Sequence, residues 1–386
     1  MTGSRPGPLA GVRVIELGVW VAGPACGGIM ADWGADVVKV EPPTGDPQRA
    51  VFGALGVKDQ TGVPPFEIDN RGKKSVVIDL RTEAGIEQML RLVATADVFV
   101  TNLRHAALQR LGLDPVSLRE RFPKLVYGII SGFGLDGPDA HRPGYDVGGY
   151  WARSGLAHTM VPPGQEPVGL RSGQGDHVTG MSLAAGVCAA LFDAQRSGQG
   201  RMVSTSLLRN GMYNIAWDIG IHLRFGKRES TRSRANNRAP LINSYTAGDG
   251  KGFWLLGLEA DRHWPALVAS IASDELDAPE FETARLRAQN NVALIEIMDR
   301  HFAQRPLHEW TELFDKHDVW WAPVNSIADV IVDPQARAAG GFVSMSPRPG
   351  EDPYEAVNSP VDFDGHALRP GPVPALGEHT SEILGR

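Results

Sequence analysis

Cysteine is nearly absent from this chain: 386 residues contain two, Cys26 and Cys188, each within an apolar stretch. Two such thiols give neither a disulfide framework nor a Cys-rich zinc site, so no metal is expected and a reducing compartment suits them. Positive charge is also short. Lys and Arg number 38 against 45 Asp and Glu, a net charge of -7, which excludes the basic face that general nucleic-acid binding requires. A phosphorylated small ligand is not excluded, because a few local Lys or Arg suffice for one. Long apolar runs are missing as well. The longest, around Met181 to Phe192, falls short of the ~20 residues that span a bilayer. The opening residues lack the apolar core of a signal peptide. These absences lead to an expected soluble, cytoplasmic protein with no nucleic-acid and no membrane partner. No internal repeat and no low-complexity block is evident.

What is present is alternation. Val12–Leu17 reads as a strand, Gly18–Ala22 as a turn, and Gly23-Pro24 as the start of a helix reaching about Trp33, with proline where its missing N–H costs least. Asp36–Glu41 is the next strand, and Pro42-Pro43 stops it. Further strands read at Ser75–Leu80, Asp97–Thr101 and Leu125–Ile130, with an amphipathic helix from Thr82 to about Thr95 and a turn at Ser197–Gly200 before Met202–Ser206. The pattern predicts an α/β fold whose sheet carries helices on both faces, with ligands collecting at the carboxyl ends of the strands. Gly18-Val19-Trp20-Val21-Ala22-Gly23 does not supply the G-x-G-x-x-G of a dinucleotide site, although Glu41 ends the second strand where a ribose-binding acid would sit. A nicotinamide-dependent dehydrogenase is therefore a remote alternative. One long helix is expected over Leu207–Phe225, and a polar crossover over Lys227–Arg238. A hairpin follows at Asn243–Leu256, then helices at Trp264–Ile271, Glu280–Ala303 and Leu307–His317. The length favours two lobes over one. The expected division is 1–225 for the first part of a large domain, 226–325 for a small one, and 326–386 for a segment returning to the first.

A glycine-broken loop, Arg171–Gly175, ends at Asp176 and runs directly into the small-residue helix Met181–Phe192. Taken locally, Asp176 is a helix N-cap, its oxygen accepting from an orphan N–H of the first turn. Lys73-Lys74 is a candidate phosphate contact but reads better as a solvated charge pair. His177 reads as a surface or packing residue, because helix geometry turns neighbours apart.

Several stretches together resemble the class III coenzyme A transferase family, which includes formyl-CoA transferase and alpha-methylacyl-CoA racemase. They are Pro8–Val14, Ala22-Gly23-Pro24, Gly34–Pro43, Ala96–Asn102, Ala322–Asn325, Asp333-Pro334-Gln335 and Leu376–Thr380, in family order across nearly the whole chain. The resemblance implies a Rossmann-like large domain with a parallel sheet, a smaller inserted α+β domain, and a homodimer of two interlocked subunits. The C-terminal landmarks would mostly serve that interlock. It implies no tightly bound cofactor: coenzyme A and its acyl thioesters are substrates, with carboxylic acids as partners in the exchange.

The family's catalytic aspartate matches Asp176, where a helix N-terminus favours the carboxylate anion that a nucleophile must be. Gly173 and Gly175 would let backbone approach the ligand. The family's coenzyme A positions carry over to Val21, Ala22, Asp79, Leu80, Arg81, Asn102, Leu103, Arg104 and Arg110, with Arg104 and Arg110 best suited to phosphate. Tyr145 completes the ligand set. It occupies Gly144-Tyr145-Asp146, where the family's racemases carry Gly-His-Asp. A phenol with a pKa of roughly 10 is a poor base near neutrality, which favours transfer over the alternative racemase reading. Small-dicarboxylate members carry Gln where this chain has Val21, and Trp20 and Trp151 are candidate walls of an acyl pocket. A non-catalytic coenzyme A-binding protein is the remaining alternative.

Overall fold

The computed structural model describes residues 6–57, 62–226, 231–345, 352–365 and 370–385, so residues 227–230 of the polar crossover lie outside it. The chain separates into two compact units. The first takes the residues through His158, those from Val168 up to the crossover, and those from Ala338 onward; the second takes Thr159–Pro167 and the stretch ending at Arg337.

The first unit is built on six parallel strands: β1 (Arg13–Leu17), β2 (Asp36–Glu41), β3 (Lys74–Val77), β4 (Val98–Thr101), β5 (Val126–Ser131) and β6 (Met202–Ser206). Their order is β3-β2-β1-β4-β5-β6, the doubly wound order in which chain direction across the sheet reverses between β1 and β4. Both faces are covered, and for that reason the strands read as continuous β-branched runs. Alternate residues feed opposite cores. Val14, Val37, Val98 and Val100 pack with Cys26 and Met30 of α1 (Ala22–Asp32) on one face. Ile15, Val38 and Phe99 pack on the other, joined by Met89, Leu92 and Val93 from the helix Glu83–Val93. The short helix α2 (Pro64–Asn70) leads into β3.

The longest helix, α3 (Gln174–Ser197), has 24 residues and begins well before the apolar run that announced it. By length and composition alone the whole helix is long and apolar enough to cross a membrane, although the apolar run within it is shorter. Here Leu183, Ala184 and Val187 are fully buried in the same core as α1 and the sheet. The helices α1 and α3 cross closely at Gly180, where a Cβ would lie 2.8 Å from the Ala22 carbonyl oxygen.

The single helix expected over Leu207–Phe225 is two, α4 (Leu207–Asn214) and α5 (Ala216–Phe225). The break at Ile215 buries that side chain against Tyr150, Leu156 and Leu207. The C-terminal segment protects the sheet's open edge. His379 donates its N–H to the Ser75 carbonyl at 2.9 Å, and Val77 donates to Thr380 Oγ1 at 3.0 Å. This pairing sets Leu376–Thr380 against β3 of its own chain.

The second unit holds an antiparallel sheet, β7 (Ser244–Thr246), β8 (Gly252–Leu255) and β9 (Trp321–Pro323), so the expected hairpin and α+β character are present. Its core is aromatic: Phe253, Phe302 and Phe314 pack with ring centroids 4.9–6.0 Å apart. The helix expected over Glu280–Ala303 is interrupted. Thr283 caps Ala284–Gln289 by accepting the Leu286 N–H, and a second helix, Asn291–Phe302, starts after Asn290. A cap-forming residue inside the apolar pattern, Thr283, marked the first of these starts.

Candidate active site

The turn after β1 is held from two sides. Asn102, at the end of β4, accepts the Val19 N–H at 3.0 Å and donates to the Val19 carbonyl at 2.8 Å. Beneath the turn runs a fully buried chain of charges. Lys73 Nζ meets Glu16 Oε2 at 2.6 Å, Lys39 Nζ meets Glu16 Oε1 at 3.1 Å, and Lys39 also reaches Asp46 Oδ2 at 2.8 Å. Two ammoniums and two carboxylates balance, which makes their burial tolerable. Burial works against ionised Glu16, yet the two lysines more than offset it and hold the carboxyl below its ordinary range. Burial lowers both ammoniums, but Lys39 faces two carboxylates and ends above its ordinary value, whereas Lys73 shares Glu16, faces Lys39 and ends below. The expected solvated pair is therefore wrong for Lys73. Only Lys74 is half-exposed, 2.8 Å from Asp36.

Asp46 Oδ1 accepts the Trp20 N–H at 3.1 Å. Trp20 has φ of 63°, a left-handed conformation rare for a bulky residue. Its indole meets the Tyr145 ring edge-on, with centroids 6.3 Å apart. Glu41 is not free for a ribose. Arg49 grips it with two bonds of 2.7 Å, and the Ser75 hydroxyl donates to it at 2.6 Å.

Asp176 is in the first turn of α3, but it is not the cap. That place belongs to Gly173, whose φ of 77° suits glycine. Gly175 donates its N–H to Asp146 Oδ2 at 3.3 Å, which brings a second carboxylate to the same corner. Asp146 itself starts a π-helical turn, Val147–Ala152, a distortion frequent at functional sites. Burial and the Asp146 charge push the Asp176 carboxyl up to about 7, against the lowering effect of His177. The helix end alone had implied a firmly ionised group, but desolvation and a like charge outweigh it. His177 does more than pack. Its Nε2 lies 3.0 Å from Oδ1 of Asp69, a buried residue of α2. The Asp69 hydrogen bond raises the imidazole's affinity for protons. Gly175 owes its identity to packing, since a Cβ would lie 2.6 Å from the Tyr150 ring.

A cleft of about 310 Å³ opens at the carboxyl ends of β1, β2 and β3, beside the switch between β1 and β4. It is lined by Leu17–Val19, Val40–Thr44, Ile78, Asp79, Leu80, Arg81 and Leu103. Four of the ligand residues expected from the resemblance thus share one cavity. Within it Arg81 clasps Asp79 through two 2.8 Å bonds and holds that carboxyl down at about 2. Arg104 follows Leu103 and is exposed; Arg110, also exposed, closes the helix His105–Arg110. Asn102 is occupied in bracing the turn. Val21 and Ala22 open α1, with Val21 Cγ1 3.8 Å from where a Gly173 Cβ would be. Tyr145 belongs to the Trp20 corner instead of the cleft. Asp69 and the chain from Lys73 to Asp46 gave no signal in the sequence. Asp146 was visible in the Gly-Tyr-Asp stretch but received no role of its own.

Strand order, the cleft at the switch point and a carboxylate at a helix N-terminus define a class: a doubly wound α/β protein built around a ligand site at the strand ends. Residues 9–380 match the model of CoA-transferase family III, and the chain belongs to that family and is an enzyme. It is 31% identical to (R)-2-hydroxy-4-methylpentanoate CoA-transferase of Clostridioides difficile, over 97% of this chain and 94% of that protein. It is 33% identical to succinate–glutarate CoA-transferase of Agrobacterium fabrum, over 99% and 96% respectively. The crystal structure of a CAIB/BAIF family protein from Brucella suis superposes with a TM-score of 0.86 at 30% identity, covering 99% of both chains.

Proposed function

We propose that this enzyme moves coenzyme A between an acyl thioester and a free carboxylic acid through covalent intermediates on Asp176. An Asp176 oxygen attacks the thioester carbonyl, the carbon–sulfur bond breaks, and coenzyme A leaves as thiolate from an acyl-aspartyl anhydride. The thiolate attacks the aspartyl carbonyl, releases the first carboxylate and forms an aspartyl-CoA thioester. An acceptor carboxylate attacks that carbonyl and expels thiolate. The thiolate then takes the new acyl group and restores Asp176. Each attack passes through an oxyanion, which backbone N–H donors near the site would stabilise.

The observation that carries this reading is the Asp176 carboxylate itself, partly buried in the first turn of α3 beside the N-terminus of α1. Its raised pKa of about 7 supports the exchange, because a carboxylate closer in basicity to its thiolate partner is a better nucleophile than an ordinary one. The strand-end cleft, with Asp79, Leu80, Arg81 and Leu103, supports docking of the nucleotide end of coenzyme A, and exposed Arg104 and Arg110 support its phosphates. The reading includes a cytoplasmic homodimer. Trp217, Leu223 and Phe225 on α5 are 71–81% exposed, more apolar surface than a lone helix leaves to water.

The test is Asp176→Ala. Exchange of labelled carboxylate into acyl-CoA should fall by at least about a thousandfold, while the protein stays folded and binds coenzyme A. Hydroxylamine added during turnover should trap a hydroxamate on Asp176 in the unmodified enzyme and none in the variant. Full exchange activity in the variant ends the covalent proposal. Deuterium appearing at the alpha carbon of a 2-methylacyl-CoA, without coenzyme A exchange, makes the enzyme a racemase instead.

A further inference from the structure

Trp20 is the one residue at the candidate active site whose backbone conformation is costly, and several groups cooperate to hold it there. Among the described non-glycine residues, only four have positive φ, and Trp20 is the only aromatic one. Asp46 fixes its N–H and is in turn fixed by Lys39, whose ammonium also bonds the Gly18 carbonyl at 3.1 Å. Asn102 clamps the preceding residue at both its N–H and its carbonyl. A left-handed backbone so firmly held serves to aim its side chain. That side chain leans edge-on against Tyr145, and the two rings remain 37% and 63% exposed.

The rings stand at the chemical end of the site. Trp20 precedes Val21, which abuts Gly173 of the α3 loop. Tyr145 precedes Asp146, which accepts the Gly175 N–H next to Asp176. On the other side of Trp20 in the chain, Gly18 and Val19 line the strand-end cleft. A ligand with its nucleotide end in that cleft and its carbonyl at Asp176 has to run past this aromatic corner just where its thioester and acyl group begin.

We infer that Trp20, aimed by Asp46 and backed by Tyr145, is the wall against which the acyl group lies, and that the site selects apolar, aromatic or branched monocarboxylic acyl groups over small or dicarboxylic ones. The inference rests on the exchange reaction proposed for Asp176 and adds its substrate class. An indole face gains most from apolar and π-bearing partners. A second carboxylate on the substrate would approach Asp146, whose charge already raises Asp176, whereas Asp69 is paired with His177. Asp46 acts as a positioning residue, through the Trp20 backbone.

The experiment measures identity exchange, in which labelled free acid enters its own thioester, for 3-phenylpropionyl-, acetyl- and succinyl-CoA. The unmodified enzyme should prefer 3-phenylpropionyl-CoA in kcat/KM. Trp20→Gly removes the ring and accepts the left-handed backbone without strain. It should cut the ratio of 3-phenylpropionyl to acetyl kcat/KM about tenfold, while Trp20→Phe keeps most of it. Asp46→Ala should lower the ratio in the same direction, and should lower it no further once Trp20 is glycine. A preference for succinyl-CoA, or a Trp20→Gly variant that alters all three substrates alike, overturns the inference. A fall in sedimentation mass with Trp20→Gly also overturns it, since the ring would then be covered by a second copy of the chain. Loss of selectivity in Trp20→Gly and survival of exchange in Asp176→Ala are separate readouts, so failure of the acyl wall and failure of the nucleophile are distinguishable.

Discussion

Asp176 shows how a residue's neighbours reverse its local rule. A carboxylate in a first helical turn is ordinarily stabilised as the anion by the helix dipole, an effect of about 0.3–1 kcal/mol. Burial and Asp146 overcome that and raise the group to about 7. The folded protein therefore holds this proton more tightly than the unfolded chain does, and ionised Asp176 costs stability. The cost is absent below about pH 4, grows as pH rises, and is complete above about 7. Asp176→Asn should accordingly stabilise the protein by about 1–2 kcal/mol at pH 8, a value reduced for the group's partial exposure to solvent, and by nothing at pH 4. Urea unfolding at the two pH values checks this. In the unmodified enzyme the acid limb of exchange should fall near pH 7, because only the ionised form attacks. His177 runs the opposite way. Its folded value is raised by Asp69, so its contribution is full at low pH and disappears as pH climbs through that raised value.

At the scale of elements, the site depends on how closely α1 and α3 approach. Both carry small residues at their crossing, and Gly180 faces backbone there, not the end of a flexible side chain. A Cβ 2.8 Å from the Ala22 carbonyl oxygen and 2.8 Å from Ala25 Cβ cannot be absorbed by a rotamer change. Gly180→Ala should force the helices apart and cost about 1–3 kcal/mol, in the range of overpacking within a core. It should also depress exchange, because α1 carries Val21 and α3 carries Asp176. A denaturation curve paired with a kcat/KM measurement reads both effects. The expected outcome is loss in each, with coenzyme A binding less affected than exchange, since the strand-end cleft lies on β1 to β3.

For the whole molecule, the exposed face of α5 is the feature a single chain leaves unexplained. Trp217 is 81% exposed, Leu223 80% and Phe225 71%, and no residue of α5 is buried. Large apolar side chains left exposed around a helix are covered by a partner surface more often than by water. Trp217→Asp together with Phe225→Asp should lower the sedimentation mass from that of a dimer to that of a monomer of about 41.6 kDa. An unmodified enzyme that already sediments as a monomer overturns the homodimer.

The sequence by itself determined the sheet. Continuous β-branched runs of four to six residues, alternating with helical periods, leave little alternative to parallel strands covered on both faces, and five of the six strands appear where those runs were read. It also determined the local form of the α3 start, because Gly173 and the small residues after Asp176 are requirements of a tight turn and a close helix crossing, while the chemistry expected at Asp176 came from the resemblance to a family. Tertiary structure alone decided the electrostatics. Asp69 reaches His177 across 108 residues, and Lys73, read as a solvated charge, is locked to Glu16 across 57. No period or spacing encodes such a pair, since desolvation and Coulomb energy depend on what the fold brings near. The split at Ile215 belongs to the same kind, as its cause is a pocket formed by Tyr150, Leu156 and Leu207. Trp20 combines both origins. Its ring was legible in the sequence as a candidate wall, while its left-handed backbone is held by groups that only the fold brings together, Asp46 among them.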